Sequence, residues 1–434
     1  MEGTMEIARD KYLEDLKLRM GNGMVKVVTG IRRCGKTYLL FNLFRRHLKE
    51  AGVDDTHVIE LALDARENAQ YRDPDELYRY LSSRIGTDEG PYYVLLDEVQ
   101  YAISDLELRG KSNGPLAIYD VLNGLLHHRN VDVYVTGSNS RFLSKDVMTE
   151  FRGRGDEVHV MPLSFSEFMQ AYRGDVYHGW SEYVLYGGMP LLRSFETDEQ
   201  KASYLSRLFD EVYLTDVIAR NRVSKTQELE DVIDILASAV GSLTNPARIS
   251  ATFGSVLNSS IDEATVKRYI DYLEDAFLVS EAVRYDVKGR KYIGTPKKYY
   301  YEDVGLRNAR LGFRQVEENH LMENIVYNEL RTRGYSVDVG VVERRRKVNG
   351  KDERTQLEVD FVANRGFRRY YIQSAFTMDT DEKREQEKES LRRVDDSFRK
   401  IVVVKDVVKP YMDNDGILTM GLFDFLLDQN SLDM

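Results

Sequence analysis

Apolar residues in the first third of the chain fall in short runs separated by polar turns and by longer amphipathic stretches. Val25 to Val28 is one such run, and it enters a tight turn at Gly30. From Thr37 the chain reads Tyr38-Leu39-Leu40-Phe41-Asn42-Leu43-Phe44 without glycine or proline, which predicts a helix directly after the turn. Further strands are predicted over His57–Leu63, Tyr92–Leu96 and Val131–Thr136. Continuous apolar runs are what strands buried on both faces require, so this segment reads as α/β with a parallel sheet. From Leu163 the alternation stops. Helical stretches over Ser164–Tyr172 and Ser181–Tyr186, and a longer one ending near Ile218, follow; Gly187-Gly188-Met189-Pro190 interrupts them as a turn.

Residues Asp231 to Tyr301 read as a winged helix-turn-helix. One helix passes through Ile233 to Val240, a second starts at Asn245-Pro246 with a cap and a first-turn proline, and a third starts after Ser260 with Glu263 completing a capping box. On the third helix Val266, Ile270, Leu273 and Phe277 form one apolar stripe, opposite Lys267, Arg268, Asp271 and Glu274. The wing region carries Arg284, Lys288, Arg290, Lys291, Lys297 and Lys298, a basic set suited to DNA, while contact with a protein stands as the equal alternative.

The turn after the first strand, Gly30-Ile31-Arg32-Arg33-Cys34-Gly35-Lys36-Thr37, matches G-x-x-x-x-G-K-[ST] and has the form of a Walker A phosphate loop. Its glycines let successive backbone N–H groups converge on phosphate oxygens. Lys36 is placed to neutralise the β and γ phosphates, and the Thr37 hydroxyl to meet Mg²⁺. Tyr92-Tyr93-Val94-Leu95-Leu96 ends in Asp97-Glu98, the form of a Walker B motif: Asp97 for the Mg²⁺ shell, Glu98 to orient and activate water. ATP and Mg²⁺ are the implied cofactors. Cys34 lies beside Lys36 and a helix N-terminus, which predicts a thiol whose alkylation blocks nucleotide binding, against the plainer reading of a tolerated variable position.

A glutamate beside the Walker B aspartate, with a later strand ending in Gly137-Ser138-Asn139-Ser140, resembles the branch of phosphate-loop ATPases that has an extra central strand. That resemblance assigns γ-phosphate sensing to Ser138 or Asn139; a simple polar turn is the alternative. The strings GIRRCGKT, LLDEVQ, TGSNS, FRGRG followed by MPLSFSEF, and YGGMP, in that order, resemble a family of bacterial and archaeal AAA+-type P-loop ATPases. That family has an AAA_14-like core and a C-terminal DUF4143-type domain related to restriction nucleases. The resemblance implies a P-loop ATPase core over 1–162, a helical lid over 163–228, a winged helix over 229–302 and a degenerate PD-(D/E)xK nuclease-like α/β domain over 303–434. It makes Arg154 a candidate arginine finger, acting within its chain or across an oligomer, with a solvated surface arginine as the alternative. In the last domain Glu323 and Asp360 fit the early nuclease pattern, but its E-x-K appears as Gln373-Ser374-Ala375, which supplies neither the anionic ligand nor the lysine. A fold without nuclease activity is implied. Arg344-Arg345-Arg346-Lys347 before Asn349-Gly350 reads as an exposed hairpin arm, with phosphate contact as the sharper alternative.

Composition changes this picture only at its margins. A chain of 434 residues exceeds a single core, and its net charge of −11 confines any DNA contact to a local basic patch. One cysteine excludes an internal disulfide, and the seven histidines show no zinc spacing. The absence of a long apolar stretch or signal-like start predicts a cytoplasmic protein without a membrane anchor. The leading reading is an ATP-driven switch acting on a protein partner or duplex DNA. Its alternatives are a nucleic-acid-binding or nuclease-type protein regulated by ATP, and an adaptor that holds ATP without turnover.

Overall fold

The computed structural model describes residues 6–86, 90–108, 116–137, 155–257, 259–348 and 351–434, which divide into two compact units. The first comprises Glu6–Pro162 with Asp275–Phe277, the second Leu163–Glu274 with Leu278–Met434.

The first unit is built on five parallel strands: β1 (Val25–Thr29), β2 (Val58–Ala62), β3 (Tyr92–Asp97), β4 (Val131–Thr136) and β5 (Gly155–His159). Their order is β2-β3-β4-β1-β5, so β4 lies between β3 and β1 as the extra central strand. Every residue of β1, β3 and β4 is buried, which explains the uninterrupted apolar runs. A polar exception is Lys26 on β1. It pairs with Asp132 on β4, whose other oxygen accepts the Tyr134 hydroxyl at 2.9 Å and the Gly21 N–H at 3.0 Å. A buried ion pair tolerates no slippage, because either charge alone would be stranded in the core. It therefore fixes the register of β1 against β4, and with it the alignment of their C-terminal ends. After the loop, one helix continues from Lys36 to Glu50 and widens to a π-turn over Leu39–Phe44.

The second unit contains an eight-stranded mixed sheet: β6 (Val279–Asp286), β7 (Lys291–Tyr301), β8 (Ser336–Val348), β9 (Lys351–Arg365), β10 (Arg368–Ala375), β11 (Arg399–Val404), β12 (Tyr411–Met412) and β13 (Ile417–Gly421). The order is β12-β13-β11-β10-β9-β8-β6-β7. Strands β8 to β10 form an antiparallel meander, and β10, β11 and β13 run parallel, with the helix Asp381–Arg392 crossing between β10 and β11. The helices Phe165–Ala171 and Val176–Tyr186, expected as part of a lid, put Phe165, Phe168, Trp180, Tyr183 and Val184 into one apolar cluster with Phe361, Ile372 and Ile401 of this sheet. A boundary at residue 302 would cut this same sheet.

The three helices expected upstream are present as Thr226–Ser238, Pro246–Ser255 and Glu263–Asp275. Asn245 caps the second, its side chain accepting the Arg248 N–H at 2.7 Å. The third is capped by Asp262, which accepts the Thr265 N–H at 2.8 Å, so the expected box of Ser260 and Glu263 is replaced by an aspartate cap one residue before the helix. The hairpin β6–β7 expected as a wing is the edge of the eight-stranded sheet, because β6 pairs in parallel with β8. Lys288, Arg290 and Lys291 are exposed at its turn, whereas Lys298 is buried and removed from the basic wing set.

Candidate functional site

Parallel strands end on the same edge of a sheet, and the pairings Val28 with Thr136 and Leu96 with Val135 bring three chain ends together there. β1 delivers the phosphate loop, β3 delivers Asp97-Glu98 and β4 delivers Thr136. The loop turns at Gly30 with φ 135°, where an added Cβ would stand 2.1 Å from the Val160 carbonyl oxygen, so only glycine fits. Gly35 and Arg33 are also left-handed, at φ 103° and 65°. Ile31 and Cys34 are buried in the loop, Arg33 is exposed and Arg32 is half-buried.

Lys36 folds back over the loop, its Nζ donating to the carbonyls of Gly30 at 2.9 Å and Ile31 at 3.1 Å. The Thr37 hydroxyl donates to Asp97 at 2.9 Å and 3.1 Å across the two carboxylate oxygens. Asp97 is 2% exposed, and burial raises its pKa above the usual carboxylate range, opposed by hydrogen bonds from Thr136 and Thr37. Glu98 follows in a left-handed conformation, φ 53°, uncommon for a residue with a side chain and concentrated at functional sites. Its N–H donates to the Thr136 hydroxyl at 3.0 Å, and its carboxylate accepts the Gln100 amide. A hydroxyl and a carboxylate are hard oxygen donors of the kind Mg²⁺ takes, so Thr37 and Asp97 fit the ion; when bound it would screen phosphate charge.

Thr136 was not singled out in the sequence. Its hydroxyl donates to Asp97 while accepting from Glu98, tying the two Walker B acids to β4. The available signal was a polar residue closing an apolar strand. Arg9 is a second such residue: its buried guanidinium donates to the carbonyls of Cys34 at 3.2 Å and Met161 at 2.6 Å, stapling the phosphate loop to the end of β5. Nothing in the charged opening segment marks it. Arg9→Ala would leave two buried carbonyls without that donor, at a cost of about 1–3 kcal/mol. It should lower both the unfolding midpoint and the ATP affinity, as read by thermal melts and a fluorescent-nucleotide titration.

Cys34 corrects an expectation. Its thiol is fully buried and donates to the Val160 carbonyl at 3.2 Å, so it is turned away from solvent and from alkylating reagents. Ser138, Asn139 and Arg154 lie outside the described residues.

In the second unit the charge of Glu323, on the helix Glu318–Thr332, bears on the buried carboxyl of Asp360 on β9. Gln373 and Ala375 do not join them. Gln373 accepts from the Ser390 hydroxyl at 3.4 Å, and Ala375 is buried in another cluster with Tyr371 and Val402. Alternation along β10 puts their neighbour Ser374 on the cluster's side, where its N–H donates to Asp360 at 2.8 Å. Glu358 and Lys298, neither marked by the nuclease pattern, complete the group. Burial, reinforced by the Glu323 charge, drives the Asp360 carboxyl well above its usual range. At Lys298 burial acts downward, but the charges of Glu323, Asp360 and Glu358 outweigh it and raise the ammonium's pKa.

Among the described residues no helix is long and apolar enough to cross a membrane. A sequence profile described as an AAA domain (AAA_14) matches residues 22–169, and another described as a domain of unknown function (DUF8612) matches residues 177–317. An uncharacterized protein of Haemophilus influenzae is 32% identical over 426 residues, covering 97% of this chain and 98% of its own. The uncharacterized protein MJ1544 of Methanocaldococcus jannaschii is 25% identical over 377 residues, covering 83% and 77%. Among solved structures, the chain is similar to the Walker-type ATPase PABY2304 of Pyrococcus abyssi, with a TM-score of 0.48, 15% identity and coverage of 70% of this chain and 96% of that one. Carrying an AAA-domain segment and aligned with a relative along almost its whole length, the chain belongs to the same family as the uncharacterized Haemophilus influenzae protein.

Proposed function

We propose that this protein is an ATP-binding, Mg²⁺-dependent ATP-hydrolysing switch of the AAA type that acts on a partner through its second unit. The observation that carries the reading is the convergence of Lys36, Thr37, Asp97 and Glu98 at one edge of the parallel sheet, from the two strands that flank β4, with Thr37 already hydrogen-bonded to Asp97. In this mechanism Lys36 exchanges its two loop carbonyls for phosphate oxygens. Thr37 and Asp97 would hold Mg²⁺, which would supply positive charge against the phosphates. Glu98 orients the attacking water and takes its proton, while Ser138 or Asn139 senses the γ-phosphate and Arg154 supplies further positive charge to it.

The partner reading favours a protein over duplex DNA, because Lys298 is withdrawn from the basic hairpin into the interior. Phosphate release and ATP affinity measured on wild type and Glu98→Gln test the proposal. The amide should keep affinity within about threefold while turnover falls by roughly 10²–10⁴. Wild-type turnover in Glu98→Gln sinks the assignment. Strong stimulation by duplex DNA, lost steeply with salt, would move the partner to nucleic acid.

A further inference from the structure

The second unit carries a charged group that ATP chemistry in the first unit does not use. Lys298 stands on β7 with its side chain 4% exposed, its Nζ 2.7 Å from Glu323 Oε1 and 2.6 Å from Glu358 Oε1. Tyr300, two residues along the strand and so on the same face, donates its hydroxyl to that Glu323 oxygen at 2.7 Å. Asp360 is held from the other side by the Ser374 N–H. Between the pairs Asp338–Val362 and Gly340–Val359, the single residue Val339 of β8 faces both Asp360 and Phe361. This is a β-bulge, a device that re-aims a side chain, and it falls at Asp360. Strand β7, the helix Glu318–Thr332 and strand β9 each contribute, so the constellation is assembled by the fold rather than by a local motif.

Converging carboxylates with restricted access to water repel one another, and a cation among them relieves that repulsion. A divalent metal would require several oxygen ligands at about 2.0–2.6 Å around one centre. An ammonium 2.6 and 2.7 Å from one oxygen of each of two of these carboxylates takes up that volume. The residues therefore do not fit a metal while Lys298 is in place. We infer that Lys298 is a built-in replacement for a bound cation: its ammonium fills the place between Glu323 and Glu358 that a cation would otherwise take, and the group serves as a metal-independent structural centre of the second unit. This stands apart from the ATP reading, since it rests on no residue of the phosphate loop.

The test uses the full chain without nucleotide and Mn²⁺ as the probe. Wild type and Glu358→Gln should bind Mn²⁺ identically by titration, because Glu358 is already occupied by the lysine; any Mn²⁺ at the Walker residues is common to both. Lys298→Met removes the charge while keeping the stem. It should unfold at a lower temperature than wild type in chelator and recover by roughly 5 °C on saturation with Mn²⁺, a shift absent from wild type. Mn²⁺ binding by wild type that is lost in Glu358→Gln overturns the inference, as does a folded Lys298→Met protein indifferent to Mn²⁺. If Lys298→Met fails to fold, the comparison of wild type with Glu358→Gln decides alone.

Discussion

Lys36→Ala is expected to weaken ATP binding by at least about a hundredfold, or roughly 2.7 kcal/mol, and to abolish measurable hydrolysis. The size follows from where the ammonium stands. It is 4% exposed and bonded to the carbonyls of Gly30 and Ile31, so it lies inside the loop and not at its rim, where water and salt would screen it. A triphosphate entering the loop meets a fixed positive charge whose stem is already packed, and little side-chain entropy remains to be lost. Alanine removes the charge while leaving Gly30, the helix start at Lys36 and the Thr37–Asp97 hydrogen bonds in place, so the loop itself should persist. Titration with a fluorescent ATP analogue, alongside a thermal melt to show that the variant is folded, gives the comparison. An affinity within threefold of wild type would remove Lys36 from the phosphate site.

The phosphate loop could be read in advance because its chemistry demands a fixed local spacing. Eight consecutive residues carry the glycines, the lysine and the threonine, and an apolar strand of predictable length leads into them. The place of β4 between β3 and β1 was implied by the resemblance to phosphate-loop ATPases with an extra central strand, and not by local signals. What stayed hidden was whatever depends on distant pairing. Arg9 meets Met161 across 152 residues, and nothing in an opening segment of mixed charges separates it from its solvated neighbours. Lys298 reads as one more basic residue of a hairpin until Glu323 and Glu358 are folded against it. The nuclease-type residues depend on strand geometry that spacing does not carry. A match by sequence alone settled on Gln373 and Ala375, whereas strand alternation gives the cluster side to Ser374, and a bulge in β9 falls at Asp360.

The turn Gly187-Gly188-Met189-Pro190 illustrates how a legible motif can carry an unread function. Two glycines before a proline mark a turn, and a hinge between lid segments is the natural guess. The turn is instead clamped within the second unit. The Gly188 N–H donates to the buried carboxylate of Asp303 at 2.7 Å, the Leu306 N–H donates to its other oxygen at 3.0 Å, and the Asn308 amide donates to the carbonyls of Val184 and Leu185 at 2.9 Å each. Burial pushes the Asp303 carboxyl up to about 6 against the pull of these backbone donors. A hinge here would have to release these buried hydrogen bonds, which tie the segment to the helix Val304–Arg310 and the residue before it.

The sharpest consequence falls on Gly305, the residue at which that helix touches the turn. An added Cβ would stand 1.9 Å from the Tyr186 carbonyl oxygen, 2.3 Å from its carbon and 2.9 Å from the Gly187 nitrogen. All three are backbone atoms, so no rotamer change relieves the overlap, and the surrounding hydrogen bonds to Asp303 and Asn308 hold both sides in place. Either the helix withdraws, stranding the Asp303 carboxylate and the Gly188 N–H without partners, or the turn opens with the same loss. Overpacking together with broken buried hydrogen bonds should cost about 3–5 kcal/mol, a fall of roughly 10 °C in the unfolding midpoint of a unit this size. Gly254→Ala makes the same chemical change in the helix Pro246–Ser255, where an added Cβ meets nothing within 4 Å. It should leave the midpoint unchanged or raise it slightly, since alanine is favoured over glycine in a helix by up to about 1 kcal/mol. Calorimetric melts of the two variants beside wild type separate the effects of contact from those of composition, and equal midpoints for Gly305→Ala and Gly254→Ala would show that the turn yields after all and restore the hinge.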